Sequence, residues 1–211
     1  MEFNDFLSKI SKIKKIIDAK NYAGISYQLK MTPKERVAFD ISTINNPKEA
    51  AVLALFYPKK DKTYLLLTLR ADYNGTHAAQ ISFPGGKKDN SDINLSQTAL
   101  RETEEEVGVK TTLIKNTIPL SKVYIPPSNF WVSPFIGIVY KEPKFLKNYE
   151  VAELVEVDLD ILLNDSTSIN RIISTSYAKN MDVPCFLLNN HVVWGATAMI
   201  LSEIKEIIKI A

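Results

Sequence analysis

Cysteine is nearly missing: the 211 residues contain one, Cys185. A single thiol cannot close an internal disulfide, so nothing in the sequence requires an oxidising compartment. No paired histidine motif accompanies it. With Pro184 and Phe186 on either side, it reads as a small buried apolar residue rather than a nucleophile. Seven glycines and ten prolines are too few for a collagen-like or low-complexity chain. Long apolar runs are also missing. The stretches 65–67 and 192–194 fall far short of a bilayer span, so no stable membrane insertion is expected. Neither sign of charge dominates: 26 basic and 24 acidic residues leave a net charge of +2, which gives no argument for nucleic acid. Residues 1–20 carry Asp5 and five lysines among apolar residues, unlike a signal peptide. These absences point to a cytoplasmic protein.

What remains is an ordinary globular mix, with 45% hydrophobic and 24% charged residues. Phe3, Phe6, Leu7, Ile10, Ile13 and Ile17 recur at helical spacing and predict an amphipathic helix over residues 4–19. Its lysines form a solvated face or, alternatively, one that meets an anionic membrane or an acidic ligand. The helix covers the core, makes a homodimer contact or does neither. Thr32-Pro33 suits the start of a short helix. Residues 50–57 and 63–70 read as a hairpin around a charged turn, followed by a long irregular loop over 71–94. A helix over 96–107 stops at Gly108. Strands follow at 111–120, 122–125, 130–140 and 152–157, then a short helix from Asp158, strands at 169–176 and 184–188, and a closing helix over 196–210. This order predicts an α/β fold in one domain, a mixed sheet flanked by helices, with residues 1–47 as a helical extension packed on 48–211.

The informative stretch runs from Gly85 to Val109. On a helical wheel with Leu100 at 0°, Thr103 falls at about 300° and Val107 at about 340°, an apolar face. Glu102, Glu105 and Glu106 fall at roughly 200°, 140° and 240°, opposite that face, while Glu104 lies apart near 40°. Like charges three and four residues apart repel, and a hard divalent cation relieves that repulsion well. Arg101, one turn before Glu105, can hold that carboxylate in place. A solvated acidic face is the alternative. Gly85-Gly86 just upstream gives a place where backbone can approach a ligand, or a simple turn.

These residues resemble the Nudix hydrolase signature G-x5-E-x7-R-E-U-x-E-E-x-G-U, where U is bulky and apolar. Gly86, Arg101, Glu102, Glu105, Glu106, Gly108 and Val109 match. The first acid is Asp92, one residue earlier than a count back from Arg101, which lands on Ile93; Thr103 takes the apolar position after the Arg-Glu pair. The shifted acid resembles the coenzyme A pyrophosphatase branch, whose upstream pattern is similar to Leu66-Leu67-Thr68-Leu69-Arg70-Ala71, His77 and Gln80-Ile81-Ser82-Phe83-Pro84-Gly85-Gly86. That pattern's second arginine is Gly75 here, and its loop glycine is Ala79. Residues 194–198 resemble the branch's W-G-x-T-A segment, and 148–153 its N-x-x-E-V element.

The resemblance implies a Nudix-type α/β/α sandwich with a mixed sheet. It implies hydrolysis of coenzyme A or an acyl-CoA to 3′,5′-ADP and 4′-phosphopantetheine or its acyl form. Glu102, Glu105 and Glu106 would be ligands of Mg²⁺ or Mn²⁺, with Arg101 among the catalytic residues. Glu150 would be an extra ligand or base, or an ordinary surface residue. Gly85 and Gly86 would present backbone to metal or phosphate. Arg70 would contact phosphate, or be a plain strand-end arginine. His77 and Gln80 would bind substrate or order the loop. Lys87 or Lys88 would replace the grip that Gly75 lacks. Trp194 reads as packing rather than stacking. Two alternatives stand beside coenzyme A: another nucleoside diphosphate derivative such as ADP-ribose or a dinucleotide, and a non-catalytic nucleotide-binding Nudix domain.

Overall fold

The computed structural model describes residues 1–19, 21–33, 44–71, 80–174 and 180–211. Gly75, His77 and Ala79 lie outside the described residues, as does the segment that would follow Pro33 as a helix.

The elements in chain order are α1 (Phe3–Ile17), α2 (Gly24–Leu29), β1 (Lys48–Lys59), β2 (Lys62–Arg70), β3 (Ile81–Ser82), β4 (Gly85–Lys87) and α3 (Leu95–Val107). They continue with β5 (Lys115–Pro119), β6 (Val123–Ile125), β7 (Phe130–Ile138), β8 (Val151–Asp158), α4 (Leu159–Leu163), β9 (Ser168–Ile173), β10 (Met181–Leu188), β11 (His191–Trp194) and α5 (Gly195–Ile210). Eight strands form a mixed sheet in the order β3-β2-β1-β7-β5, with β4 beside β1, β6 beside β7 and β8 beside β2. β1 and β7 run parallel, and the other pairs are antiparallel. A separate antiparallel sheet has the order β11-β10-β9.

Strand alternation gives the large sheet two apolar faces. Ala54, Phe56, Leu65 and Leu67 pack with Phe6 and Ile13 of α1 and with Leu201, Ile204 and Ile208 of α5. Ala51, Leu53, Leu55 and Leu66 pack with Ala99 and Val107 of α3. The result is an α/β/α sandwich around a mixed sheet with a helix at the N-terminus. The Phe6 and Phe56 rings lie 4.7 Å apart, so α1 belongs to the same core as the sheet.

Three differences from the sequence reading have simple causes. The irregular loop contains β4, because Ala50, Ala51 and Val52 pair with Lys87, Gly86 and Gly85. The strand expected at 111–120 opens with a helical turn at Thr111–Leu113, tied down where Glu104 accepts from Lys110 Nζ (2.7 Å) and Thr111 N–H (2.8 Å). β11 pairs with β10 across Asn189 and Asn190, both in the left-handed region that Asn tolerates in tight turns. Among the described residues, no helix is long and apolar enough to cross a membrane.

Candidate active site

α3 begins where the Asn94 side chain accepts from Gln97 N–H (2.9 Å) and Gln97 Oε1 accepts from Ile93 N–H (2.7 Å), a reciprocal cap. It ends at Gly108, whose φ of 74° suits a residue without Cβ. The sheet side of the helix buries Thr98, Ala99, Thr103, Glu106 and Val107. The acidic trio therefore does not share one solvated face. Glu105 is exposed, Glu102 is half-buried, and Glu106 is only 3% exposed. The buried sector reaches past Thr103 to Ala99, and this wider sector takes in Glu106 at its edge.

Glu106 sits beneath the glycine pair. Its Oε2 accepts from Gly85 N–H at 3.0 Å, and its Oε1 lies 3.5 Å from Arg70 Nη1. Burial pushes its carboxyl pKa up to about 7; the Gly85 N–H and Arg70 oppose this, while Glu102 and Glu150 add to it. Glu102 is also shifted upward by burial, against the pull of Arg101 and with repulsion from Glu105 and Glu150. Glu102, Glu106 and Glu150 thus act on one another electrostatically although Glu150 comes from a different part of the chain. A side chain on Gly86 would overlap the Glu102 carboxylate, and one on Gly85 would strike the β1 backbone at Ala51 and Val52. Close approach constrains both, Gly85 by the β1 backbone in addition to its φ of 151°, and Gly86 by the end of the Glu102 side chain.

Two arginines organise the acids. Arg101 Nη1 reaches Glu102 Oε1 at 2.9 Å and Glu105 Oε2 at 3.1 Å. Its Nε and Nη2 donate to the two oxygens of Asp92 at 3.0 and 2.9 Å, and Nη2 also to the Lys87 carbonyl at 3.2 Å. Asp92 accepts further from Thr98 Oγ1 and Asp89 N–H, both at 2.9 Å. The Arg101 guanidinium holds the Asp92 carboxyl well below the usual carboxylate range. The one-residue shift in the signature is explained here: Asp92 is buried against Arg101, while Ile93 stands 85% exposed. Arg70 is the second organiser, with Nη2 3.9 Å from Glu150 Oε2 in addition to its pair with Glu106.

The remaining expected residues fall in two places. Gln80 lies beside Arg70, its carbonyl accepting from Arg70 N–H at 3.1 Å. Lys87 is at the exposed end of β4, bordering a cleft of about 350 Å³ shared with Lys48, Lys88 and Asp92. Three residues given no role from sequence also contribute. Thr98 supports Asp92. Thr197 Oγ1 of α5 donates to the Ile81 carbonyl at 3.0 Å. Asn148 accepts at its side chain from Glu150 N–H at 2.9 Å. Asn148 and Glu150 are separated by a single residue, one fewer than in N-x-x-E-V. Thr197 and Asn148 lie in the segments 194–198 and 148–153 already singled out by resemblance, whereas only its polar character hinted at a role for Thr98.

Among the described residues, no three Asp, Glu, His or Cys side chains already surround one point as ligands would. A Mg²⁺-type ion does not need that, since it binds through one or two carboxylates, keeps water and takes oxygens from substrate phosphate. The donors here are all carboxylate oxygens, mutually repelling and partly desolvated, which fits such an ion.

A NUDIX domain model matches residues 47–162. The chain is similar to an uncharacterised Nudix hydrolase, NudL, of Yersinia pestis: 35% identical over 170 residues, covering 77% of this chain and 81% of that one. Among solved structures it is similar to a MutT protein from Methanosarcina mazei (17% identity, 75% of this chain, 92% of that one, TM-score 0.49). A MutT/nudix family protein from Enterococcus faecalis also matches (19% identity, 90% and 72%, TM-score 0.48). The domain match, together with the similarity to NudL along most of both sequences, shows that this chain belongs to the Nudix hydrolase family.

Proposed function

We propose that this protein is a metal-dependent diphosphatase cleaving coenzyme A or an acyl-CoA to 3′,5′-ADP and (acyl-)4′-phosphopantetheine. The observation that carries this reading is a convergence. The upstream pattern over 66–86 and the segments 148–153 and 194–198, which resemble the coenzyme A branch and are distant in sequence from one another, are joined by hydrogen bonds. Arg70 N–H bonds the Gln80 carbonyl, Ala71 N–H bonds the Glu150 carbonyl (2.8 Å), and Thr197 Oγ1 bonds the Ile81 carbonyl. They frame the Gly85-Gly86 backbone under which Glu106 lies.

In this reading Glu102, Glu105 and Glu106 would hold Mg²⁺ or Mn²⁺. When bound, the ion supplies neutralisation of the diphosphate charge and a more acidic water. Arg101, fixed by Asp92, keeps Glu102 and Glu105 oriented. Gly85 and Gly86 keep side chains out of the way of the phosphates. Arg70 would contact phosphate and add positive charge to a phosphoryl oxygen. Glu150, at the edge of the group, accepts the proton of the attacking water at its carboxylate. The reading carries with it a cytoplasmic location.

Gly75 and Ala79, which depart from the coenzyme A pattern, favour a second reading: a Nudix hydrolase of another nucleoside diphosphate derivative, such as ADP-ribose or a dinucleotide. A panel of coenzyme A, acetyl-CoA, ADP-ribose and diadenosine polyphosphates, each with Mg²⁺ and with Mn²⁺, decides between them. The expected result is the highest kcat/KM on coenzyme A or its thioester, with release of 3′,5′-ADP. Preference for ADP-ribose rejects the first reading.

A further inference from the structure

We propose that Asn148 is a positioning residue that aims Glu150 at the reaction by fastening its turn to the last turn of α3. The proposal rests on the role given to Glu150 above. Asn148 sits between the two groups it would link. Its backbone N–H donates to the Glu106 carbonyl at 3.0 Å, so it rides on the helical turn that carries the buried carboxylate. Its Oδ1 accepts from Glu150 N–H at 2.9 Å, and its carbonyl accepts from Val151 N–H at 3.4 Å. The first of these is an Asx turn, in which a short side chain stands in for a backbone acceptor.

Neighbouring bonds hold the turn on both sides. Leu146 N–H donates to the Val107 carbonyl at 3.0 Å, next to Gly108, where a Cβ would meet Leu146. Beyond the turn, the Glu150 carbonyl holds Ala71 N–H. The placement of Glu150 is therefore referred to α3 through Asn148 and to the end of β2 through Ala71. Arg70, one residue before Ala71, meets both carboxylates, at 3.5 Å for Glu106 and 3.9 Å for Glu150. Without the Asn148 acceptor the backbone bond to the Glu106 carbonyl remains, and what is lost is the hold on the Glu150 N–H within the turn.

The test compares Asn148→Ala, Asn148→Ser, Glu150→Gln and the Asn148→Ala/Glu150→Gln double variant on the panel substrate that the wild type turns over fastest. Melting curves verify folding. Asn148→Ala is expected to lower kcat about 10- to 100-fold, the range typical for groups that orient a reacting group, with KM within about twofold. Asn148→Ser should recover part of the loss, because a hydroxyl makes the same turn more weakly. In the Glu150→Gln background, Asn148→Ala should cost nothing further, since its effect passes through the missing carboxylate. The proposal is overturned if Asn148→Ala lowers the melting temperature while kcat holds, or if its effect multiplies with that of Glu150→Gln. Full activity of Glu150→Gln removes the role of Glu150 and this proposal with it, while leaving diphosphate hydrolysis standing.

Discussion

Glu106 is the residue at which folding and chemistry conflict. A carboxylate with 3% exposure, one backbone donor and a looser arginine contact is costly to bury. Replacing it with glutamine keeps an acceptor for Gly85 N–H and removes the buried charge. Glu106→Gln should therefore melt no lower than the wild type yet lose about 10²- to 10³-fold in kcat, several kcal/mol of transition-state stabilisation. Calorimetry and steady-state kinetics on one preparation check both halves. Asp92 is the opposite case. Its bidentate pair with Arg101 is satisfied, so Asp92→Asn removes the charged partner of Nε and Nη2 and leaves the guanidinium with the Glu102 and Glu105 carboxylates at Nη1 only. The expected loss of stability is about 3 kcal/mol in urea unfolding. The folded-state pKa of Asp92 lies below the unfolded value of about 3.9. Its stabilisation is thus complete above roughly pH 4 and fades as the pH falls toward the folded value. The gap between wild type and Asp92→Asn should narrow below pH 4.

At the scale of elements, β4 and α3 act as a pair. Gly85→Ala meets backbone at Ala51 and Val52 and has a φ of 151°, outside the range of ordinary side chains. It should destabilise the protein by about 1–3 kcal/mol in urea unfolding. Gly86→Ala meets only the end of the Glu102 side chain, which can swing away. It should melt near the wild type while turnover falls with the displaced carboxylate. The elements differ in how legible they were. α1, the β1–β2 hairpin and α3 follow from periodicity and from Gly108, because their apolar spacing matches their burial. β4 is three residues long, and its pairing with β1 is long-range, so no local pattern announces it. The acids of α3 were legible as a group, but the burial of Glu106 was not. It depends on which sector of the helix the sheet covers, which a wheel centred on Leu100 places too far round. Asp92 was visible as a misplaced acid, and only its bonds to Arg101 show why the shift is tolerated.

At the scale of the whole molecule, the N-terminal helices are part of the core. Glu203 of α5 is fully buried and accepts from Tyr22 Oη (2.7 Å), Gln28 Nε2 (2.6 Å) and Ser121 N–H (2.9 Å). These bonds fasten α2 and the turn before β6 to α5, which packs on the other face of the large sheet from α3. Glu203→Ala leaves Tyr22 Oη and Ser121 N–H without this acceptor and Gln28 Nε2 with the Ser121 carbonyl alone, and should cost about 3 kcal/mol or more in thermal unfolding. At temperatures where it stays folded, its kcat should equal that of the wild type.

The bond from Thr197 to Ile81 has a consequence for synthesis of the protein. The strand that leads into the glycine pair is propped by a residue more than a hundred positions downstream. A nascent chain can form α3 and the hairpin early, as their contacts are local. The glycines can pair with β1 and meet Glu106 at that stage, but the prop under Ile81 waits until Thr197 has emerged, so β3 should settle after the glycine pair it leads into.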